Sequence, residues 1–250
     1  MDDTRDYTLA RLRDCARRAK RSWSAVTTDF LDPLSWQLAG QAAQEEGADL
    51  ALWGGYPEAE RRVAGFRAQD DGTDLEWPIL PLTLTWDTRY GRLGHRDLLG
   101  ALLGLGIQRA GLGDILLEEG RAVAFVHSSV ADLIQLELKR AGRATIRVEK
   151  TSTNKVQLPH EEWVNLSATV ATPRLDAILA SGFHLSRSEA QRVVKSGLVR
   201  VNFAEETRTD RKVEAGDLIS LRGAGRLRML TLGDATRKGR YHIELERTQR

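Results

Sequence analysis

The residues best suited to chemistry in this sequence are basic and amide side chains that recur at helical spacing after Ser186. Ser186 and Glu189 have the spacing of a helix capping box, and Gly197 is typical of a helix end. Positions i, i+4 and i+8 of this helix share one outer face, and they are Arg187, Gln191 and Lys195. Ser188 and Arg192 flank this face. Guanidinium and ammonium groups bind phosphates, so the face predicts contact with a polyanion.

A second helix is predicted directly before this one. In the segment 172–182, Thr172 is expected to cap the helix, Pro173 to occupy its first position, and Gly182 to end it. Arg174 follows Pro173 and is also predicted to contact phosphate.

The sequence after Gly197 offers further cations. LVRVNF (198–203) predicts a strand, and we expect its Arg200 and Asn202 to share the basic surface of the second helix. Two later stretches, RGAGRLRM (222–229) and TRKGR (236–240), fit phosphate contact and ordinary surface charge about equally well. The predicted contacts there are Arg222, Arg226 and Arg228, and the further basic residues are Arg237, Lys238 and Arg240.

Charge is distributed unevenly along the 250 residues. Residues 173–250 hold 16 Lys and Arg against 10 Asp and Glu, a net charge of +6, whereas the preceding part carries −4. A basic tail on an acidic body predicts that the tail meets a polyanion. No stretch reaches the length of a membrane span, the N-terminus lacks a signal-like apolar region, and Cys15 stands alone. We therefore expect a cytoplasmic protein with no membrane contact.

Motifs for catalysis or cofactor binding are missing from the sequence. There is neither a GxxxxGK[ST] loop nor an HExxH pair, so no metal or cofactor is expected. The five histidines are scattered and are interpreted as structural or exposed: His95, His127, His160, His184 and His242. Arg109 adjoins the glycine-rich turn QRAGLGD (108–114), for which an RNA contact and a purely structural turn remain equally good hypotheses. We predict a protein without enzymatic activity.

Periodicity places these residues on an α+β fold. A helix is predicted over 7–23, whose many basic residues are either a second RNA contact or simply solvated. Residues 82–150 read as β-α-β-β-α-β, the split pattern of a ferredoxin-like plait, with a helix over 129–142 that Gly142 ends. Glycines in the first plait helix would let it approach a neighbour, the favoured interpretation, or an RNA backbone. The predicted domains are 1–80, a small α/β region; 81–170, the plait, similar to RNA-recognition domains; and 171–250.

The C-terminal pattern resembles the S-four RNA-binding domain, named after a ribosomal small-subunit protein. The resemblance rests on RLDAILASGFHLSRSEAQRVVKSGLVRVN (174–202) and on the later Ala215-Gly216-Asp217. It implies that the two helices and the following strand dock on structured RNA. Phe203 stands where many relatives have glycine before a turn, which leaves the shape of that loop open.

Motifs elsewhere extend the resemblance to the YlmH family of bacterial RNA-binding proteins. They are DFLDP (29–33), GGYPEAERR (54–62), HRDLLGALLGLGIQRAGLGDIL (95–116) and RGAGRLRM (222–229). The resemblance implies a ribosome-associated quality-control factor that binds 23S rRNA and tRNA on large ribosomal subunits obstructed by peptidyl-tRNA and supports C-terminal tailing. It further implies a monomer away from the ribosome and a possible link to cell division.

Two alternative functions stay open at this point. A pseudouridine synthase also joins an S-four domain to a catalytic domain, but it needs an Asp beside an Arg-Leu pair. Arg92-Leu93 is followed by Gly94, and Arg174-Leu175-Asp176 belongs to the S-four helix. A cell-division scaffold is the second alternative, and its partners would survive RNase treatment.

Overall fold

The structure is a computed structural model that describes residues 2–69, 74–151, 163–235 and 239–248. The chain divides into two compact units, Met1–Pro159 and His160–Arg250. Both combine helices with antiparallel sheets, which confirms the predicted α+β class. Within the described ranges, no helix has the length and apolar character needed to cross a bilayer.

The first unit opens with an N-terminal lobe in which two helices cover a three-stranded sheet of order β1-β3-β2. Its elements are α1 (Asp2–Ser22), β1 (Val26–Leu31), α2 (Pro33–Glu46), β2 (Ala48–Trp53) and β3 (Arg62–Ala68). The predicted start of α2 is confirmed, because the Asp32 side chain accepts a hydrogen bond from the Ser35 amide at 2.8 Å. Helix α1 is less solvated than its sparse apolar positions indicate, since one stripe is buried in the lobe: Leu9, Leu12, Ala16 and Ala19.

The middle lobe completes the first unit and confirms the predicted plait. Its main elements are β4 (Ile79–Thr85), α3 (His95–Gly104), β5 (Leu112–Glu118), β6 (Arg121–His127), α4 (Ser128–Glu137), β7 (Arg140–Ala141), β8 (Ala144–Thr145) and β9 (Arg147–Lys150). The antiparallel order β5-β6-β4-β9 is that of a split β-α-β fold. Leu98, Leu102 and Ile134 bring both helices onto one face of this sheet.

Two details of the plait differ from the prediction. Helix α4 ends at Glu137, and Gly142 instead turns the short β7–β8 hairpin with φ +53°. The glycines of α3 were expected to let the helix approach a neighbouring element, and this prediction is wrong. A Cβ built on Gly100 or Gly104 would have no heavy atom of another element within 4 Å in the described part of the chain. The open side of these glycines therefore faces no neighbouring element.

A half-buried polar network joins the two lobes of the first unit. The Asp114 carboxylate accepts hydrogen bonds from the Tyr56 hydroxyl at 2.9 Å, from the Glu60 amide at 2.7 Å and from the Arg61 amide at 3.2 Å. The Arg61 guanidinium donates to the carbonyl oxygens of Leu112 and Phe30, and burial lowers its pKa to about 10. These hydrogen bonds therefore join the GGYPEAERR motif to the QRAGLGD motif.

Arg109 belongs to the same network and not to an exposed loop. Its guanidinium donates to the carbonyl oxygens of Leu112, at 2.6 Å, and Gly113, at 3.3 Å. Burial lowers its pKa, and the nearby Asp114 opposes that shift. Of the two hypotheses for this turn, the structure supports the structural one.

The second unit places two helices on one face of a six-stranded antiparallel sheet. Its elements are β10 (Trp163–Val170), α5 (Leu175–Gly182), α6 (Arg187–Lys195), β11 (Val199–Val201), β12 (Ala204–Glu205), β13 (Leu218–Leu221), β14 (Gly225–Ala235) and β15 (Tyr241–Thr248). The sheet order is β10-β15-β14-β13-β11-β12. Its core combines apolar residues of both helices with alternate residues of the inner strands, for example Ile178, Val194, Val201 and Leu227.

Candidate nucleic-acid interface

The start of α5 differs from the prediction, and the difference positions Arg174. The helix begins at Leu175, and its cap residue is Arg174 instead of the predicted Thr172. The backbone before the helix pairs with the loop before β13 instead. Arg174 and Lys212 form an isolated antiparallel β-bridge through their backbones, and the Val213 amide donates to the Pro173 carbonyl at 2.9 Å. This pairing removes the segment from the helix and sets Arg174 at the edge of α5.

The start of α6 agrees with the prediction. The Glu189 amide donates to the Ser186 hydroxyl at 3.2 Å, and the Glu189 carboxylate accepts from the Ser186 amide at 2.9 Å. The Ser186 hydroxyl also donates to the Glu189 carboxylate, at 2.7 Å, and this bond together with the one from the Ser186 amide lowers the pKa of Glu189. Gly197 has φ +69° at the other end, so nine residues are fixed as α6.

A fully buried carboxylate organises the surface between the two helices. Asp176 is 0% exposed and accepts hydrogen bonds from the Arg187 guanidinium and from the Gln191 amide, both at 2.9 Å. The Arg174 Nε lies 3.4 Å from the other carboxylate oxygen as an ion pair without hydrogen-bond geometry. Two of the predicted contacts are thus held in place by an acid below them, while 49% of the Arg187 side chain remains exposed.

The remaining helix residues of the predicted surface are exposed. Arg192 and Lys195 form no ion pair within the described part of the chain. They line an open depression of about 470 Å³ together with Ser188, Gln191 and Ser196. Exposed cations that no internal ion pair engages, at the rim of a shallow surface, are available to an external phosphate. We call this set the α6 surface: Arg174, Arg187, Ser188, Gln191, Arg192 and Lys195.

The strand residues do not join the α6 surface as expected. Arg200 alternates with the buried Val199 and Val201, so its side chain leaves the sheet on the face opposite to the helices. Asn202 lies in the turn after β11, where its amide donates to Asp217 at 2.6 Å and its carbonyl oxygen accepts from the Leu218 amide at 3.0 Å. Strand alternation therefore splits the predicted set in two.

The turn at Asn202 also answers the question raised by Phe203. Asn202 has φ +49° and Phe203 has φ +70°, while Val201 pairs with Ala204. Two central residues with positive φ are typical of a tight β-hairpin turn, a conformation that favours glycine or asparagine. Phe203 adopts it without changing the two-residue loop.

Three predicted arginines lie on or beside the sheet face opposite to the helices. Arg228 pairs with Glu246, and its guanidinium lies 4.8 Å from the centre of the Trp163 ring. Arg226 is half-buried on the same strand, and Arg222 is exposed in the turn before it. They form a second, separate basic group. Arg237 and Lys238 lie outside the described residues, and Arg240 donates to the Thr169 carbonyl.

A basic loop that the predicted surface did not include lies beside Arg174. The Leu175 amide donates to the Arg211 carbonyl at 2.8 Å, and Arg208 and Arg211 both contact the buried Glu206. The hydrogen bond from Arg208 lowers the pKa of Glu206. The signal was present as clustered cations at 208–212, but their place next to α5 depends on backbone pairing that no local pattern reveals.

The histidines occupy ordinary positions. His127 caps α4 by accepting from the Ser129 amide at 3.3 Å, and burial and the charge of Arg109 lower the pKa of His95. His184 is exposed with φ +55°, and His160 lies outside the described residues. Across the described ranges, no group of three His, Cys, Asp or Glu residues is placed to hold a metal ion.

Three family models match this chain. They are the N-terminal domain of YlmH at residues 5–66, the putative RNA-binding domain in YlmH at residues 73–155, and the S4 domain at residues 173–219. The middle lobe and the two-helix unit with its first strands therefore each coincide with a domain named for RNA binding or for the S4 fold.

Two similar proteins extend these matches. The chain is 32% identical over 232 residues to "Ribosome-associated protein quality control protein P2" of Bacillus subtilis strain 168, covering 92% of this chain and 90% of that protein. A solved structure, "Cell division protein ylmH from Streptococcus pneumoniae", shares the fold with a TM-score of 0.54 at 22% identity, over 61% of this chain and 94% of that one. The chain belongs to the YlmH family.

Proposed function

We propose that this protein is a ribosome-associated RNA-binding protein whose α6 surface grips RNA phosphates. The observation that carries the proposal is the arrangement around Asp176, which holds Arg187 and Gln191 beside Arg192 and Lys195, two exposed cations that form no ion pair among the described residues. Side chains fixed before binding lose less conformational entropy when they contact a ligand. The name of the Bacillus subtilis relative supports the ribosome as the place of action.

The finer assignment follows the family resemblance. The RNA is 23S rRNA and tRNA on large subunits obstructed by peptidyl-tRNA, and the protein supports C-terminal tailing of the stalled chain in the cytoplasm. It acts as a monomer away from the ribosome. In this scheme 171–250 is the anchoring domain and 81–170 contributes a second RNA contact. Residues 1–80 form the remaining N-terminal domain. The match to a putative RNA-binding domain supports the second contact.

We propose that the protein acts by binding and not by catalysis. The competing function, pseudouridine synthesis, needs an Asp beside an Arg-Leu pair in a catalytic domain. Asp176, the acid in the Arg174-Leu175-Asp176 sequence, is fully buried and hydrogen-bonded within the S4 domain. Incubation with 23S rRNA followed by pseudouridine mapping tests this point, and a newly modified base would overturn it.

The test of the proposed function is sucrose-gradient sedimentation of the tagged protein with crosslinking and sequencing of bound RNA. We expect it to migrate with 50S particles and to crosslink to 23S rRNA and tRNA. Replacing Arg192→Glu and Lys195→Glu together should abolish both signals, because each reversal removes a phosphate contact and adds repulsion. Arg187→Glu is a poor choice, since it would set a second carboxylate against the buried Asp176.

A matched control keeps this result interpretable. Arg89 and Arg92 have 83% and 89% of their side chains exposed, and each already lies near an acid. The double change Arg89→Glu and Arg92→Glu alters the net charge equally and should leave sedimentation unchanged. Equal loss in both double variants would show that total charge, not the α6 surface, governs the association.

A further inference from the structure

Helix α1 carries a basic stripe, part of which forms no ion pair among the described residues. Between Tyr7 and Trp23 the sequence has six Lys and Arg and one acid, Asp14. Three of these cations already have acceptors, because Arg13 and Arg17 pair with Glu45 and Glu46 of α2 and Lys20 donates to a carbonyl of the same helix. Three others are exposed on the helix surface: Arg11, Arg18 and Arg21. Among the described residues, Arg18 and Arg21 form no ion pair.

Two exposed aromatic rings border this stripe. Tyr7 is 66% exposed at one end, with the Arg11 guanidinium 6.0 Å from its ring centre, and Trp23 is 70% exposed at the other. Trp23 also has φ +48°, at a helix end where the Ser24 amide donates back to the Ala19 carbonyl at 3.4 Å. Glycine is the usual residue at such a left-handed helix end, so tryptophan here carries both backbone strain and an exposed apolar ring.

We propose that the outer face of α1 is a further RNA-contact surface, on which Arg18 and Arg21 bind phosphates and Trp23 stacks on an unpaired base. Base stacking on an aromatic ring flanked by cations is a recurring mode of single-strand recognition. Strain at a position that contributes nothing to the core is better explained by a function than by folding. The inference rests on the proposed function, since it adds a contact for the same RNA.

A membrane surface is the other partner that a basic helix with tryptophan could meet. Interfacial helices bury their apolar face in the lipid. The apolar face of α1 is already buried in the N-terminal lobe through Leu12, Ala16 and Ala19. Only the polar face and Trp23 are left to bind, and that combination fits RNA.

The experiment measures filter binding of the full chain to purified 23S rRNA at several salt concentrations. Arg18→Gln with Arg21→Gln should reduce the slope of log affinity against log salt by about two, one per lost phosphate contact. The control is Arg13→Gln with Arg17→Gln on the same helix, which removes equal charge from arginines that already have acid partners and should keep the wild-type slope.

Trp23→Gly separates RNA contact from folding. Glycine relieves the positive φ, so the urea midpoint should stay equal or rise, while affinity for 23S rRNA should fall about 5- to 150-fold through lost stacking. Wild-type affinity in this variant, or equal slopes in the two arginine pairs, would overturn the inference. So would capture by phosphatidylglycerol vesicles that depends on Trp23 when rRNA binding does not.

The two proposals fail in different ways. If the Arg192→Glu, Lys195→Glu chain loses 23S rRNA while the α1 variants bind like wild type, the proposed function stands and the α1 contact is wrong. If the wild-type chain does not bind 23S rRNA, the proposed function fails and the α1 contact fails with it.

Discussion

At the scale of single residues, Asp176 is the most informative position in the C-terminal unit. It is an acid buried to 0% exposure, and it contributes by orienting Arg187 and Gln191. Its place in the first turn of α5 adds the favourable field of the helix N-terminus. The sequence marked this residue only as part of a family motif, because an acid in a helix looks the same whether it is solvated or buried.

Replacing Asp176→Asn tests this role. The amide keeps the shape of the side chain but loses the charge that two guanidiniums compensate, so we expect the free energy of unfolding to fall by about 2 kcal/mol, the scale of a hydrogen bond to a charged group. Affinity for 23S rRNA should fall as well, because Arg187 loses its anchor. Urea unfolding and filter binding measure the two effects. The exposed Asp210→Asn is the control, and equal midpoints for both variants would contradict the assignment.

At the scale of elements, the sequence predicted a helix start correctly where residues adjacent in the chain form the cap. The capping box of α6, the Asp32-Pro33 start of α2 and the four-stranded plait are all present as predicted. The prediction was wrong where backbone from a distant part of the sequence hydrogen-bonds to the expected first turn of a helix. Thr172 and Pro173 are good helix-start residues, yet the Val213 amide bonds to the Pro173 carbonyl and delays α5 to Leu175.

Gly182 ends α5 as predicted, and it is also a close-packing site, which the sequence pattern does not reveal. It is the last residue of α5, and a Cβ built on it would lie 2.5 Å from Leu227 Cδ2, inside the core. Gly182→Ala should therefore lower the free energy of unfolding by about 1–3 kcal/mol, as overpacking does. Gly100→Ala in α3 has open space and should instead add about 1 kcal/mol through helix propensity. Urea midpoints that move in the same direction for both would refute this contrast.

At the scale of the whole molecule, the first unit is one body because two motifs interlock. Phe30, Val63, Ile79 and Phe125 form a shared apolar cluster, and Asp114 supplies the polar connection. The family motifs that sequence comparison recognised as separate strings thus meet in space. Their meeting could not be predicted, because it depends on contacts more than fifty residues apart, as between Tyr56 and Asp114.

Asp114→Ala tests the unity of this body. It removes the hydrogen bonds that the carboxylate accepts from the Tyr56 hydroxyl and from two backbone amides, and a hydrogen bond to a charged group contributes about 1.5–3 kcal/mol. We expect hydrogen exchange to accelerate together in β2, β3, β5 and β6, while α5 and α6 keep their protection. The exposed Asp74→Ala serves as the control. Faster exchange confined to the 54–62 loop would show that the two lobes are not coupled.

The strand order of the second unit has a consequence for how the protein is made. Strand β10 precedes every other element of this unit, yet its whole length pairs with β15, which follows all the others. A nascent chain therefore carries β10 without its partner throughout synthesis of the S4 helices. The sheet closes only after β15 has been translated, so the domain cannot finish folding while its two helices are being made.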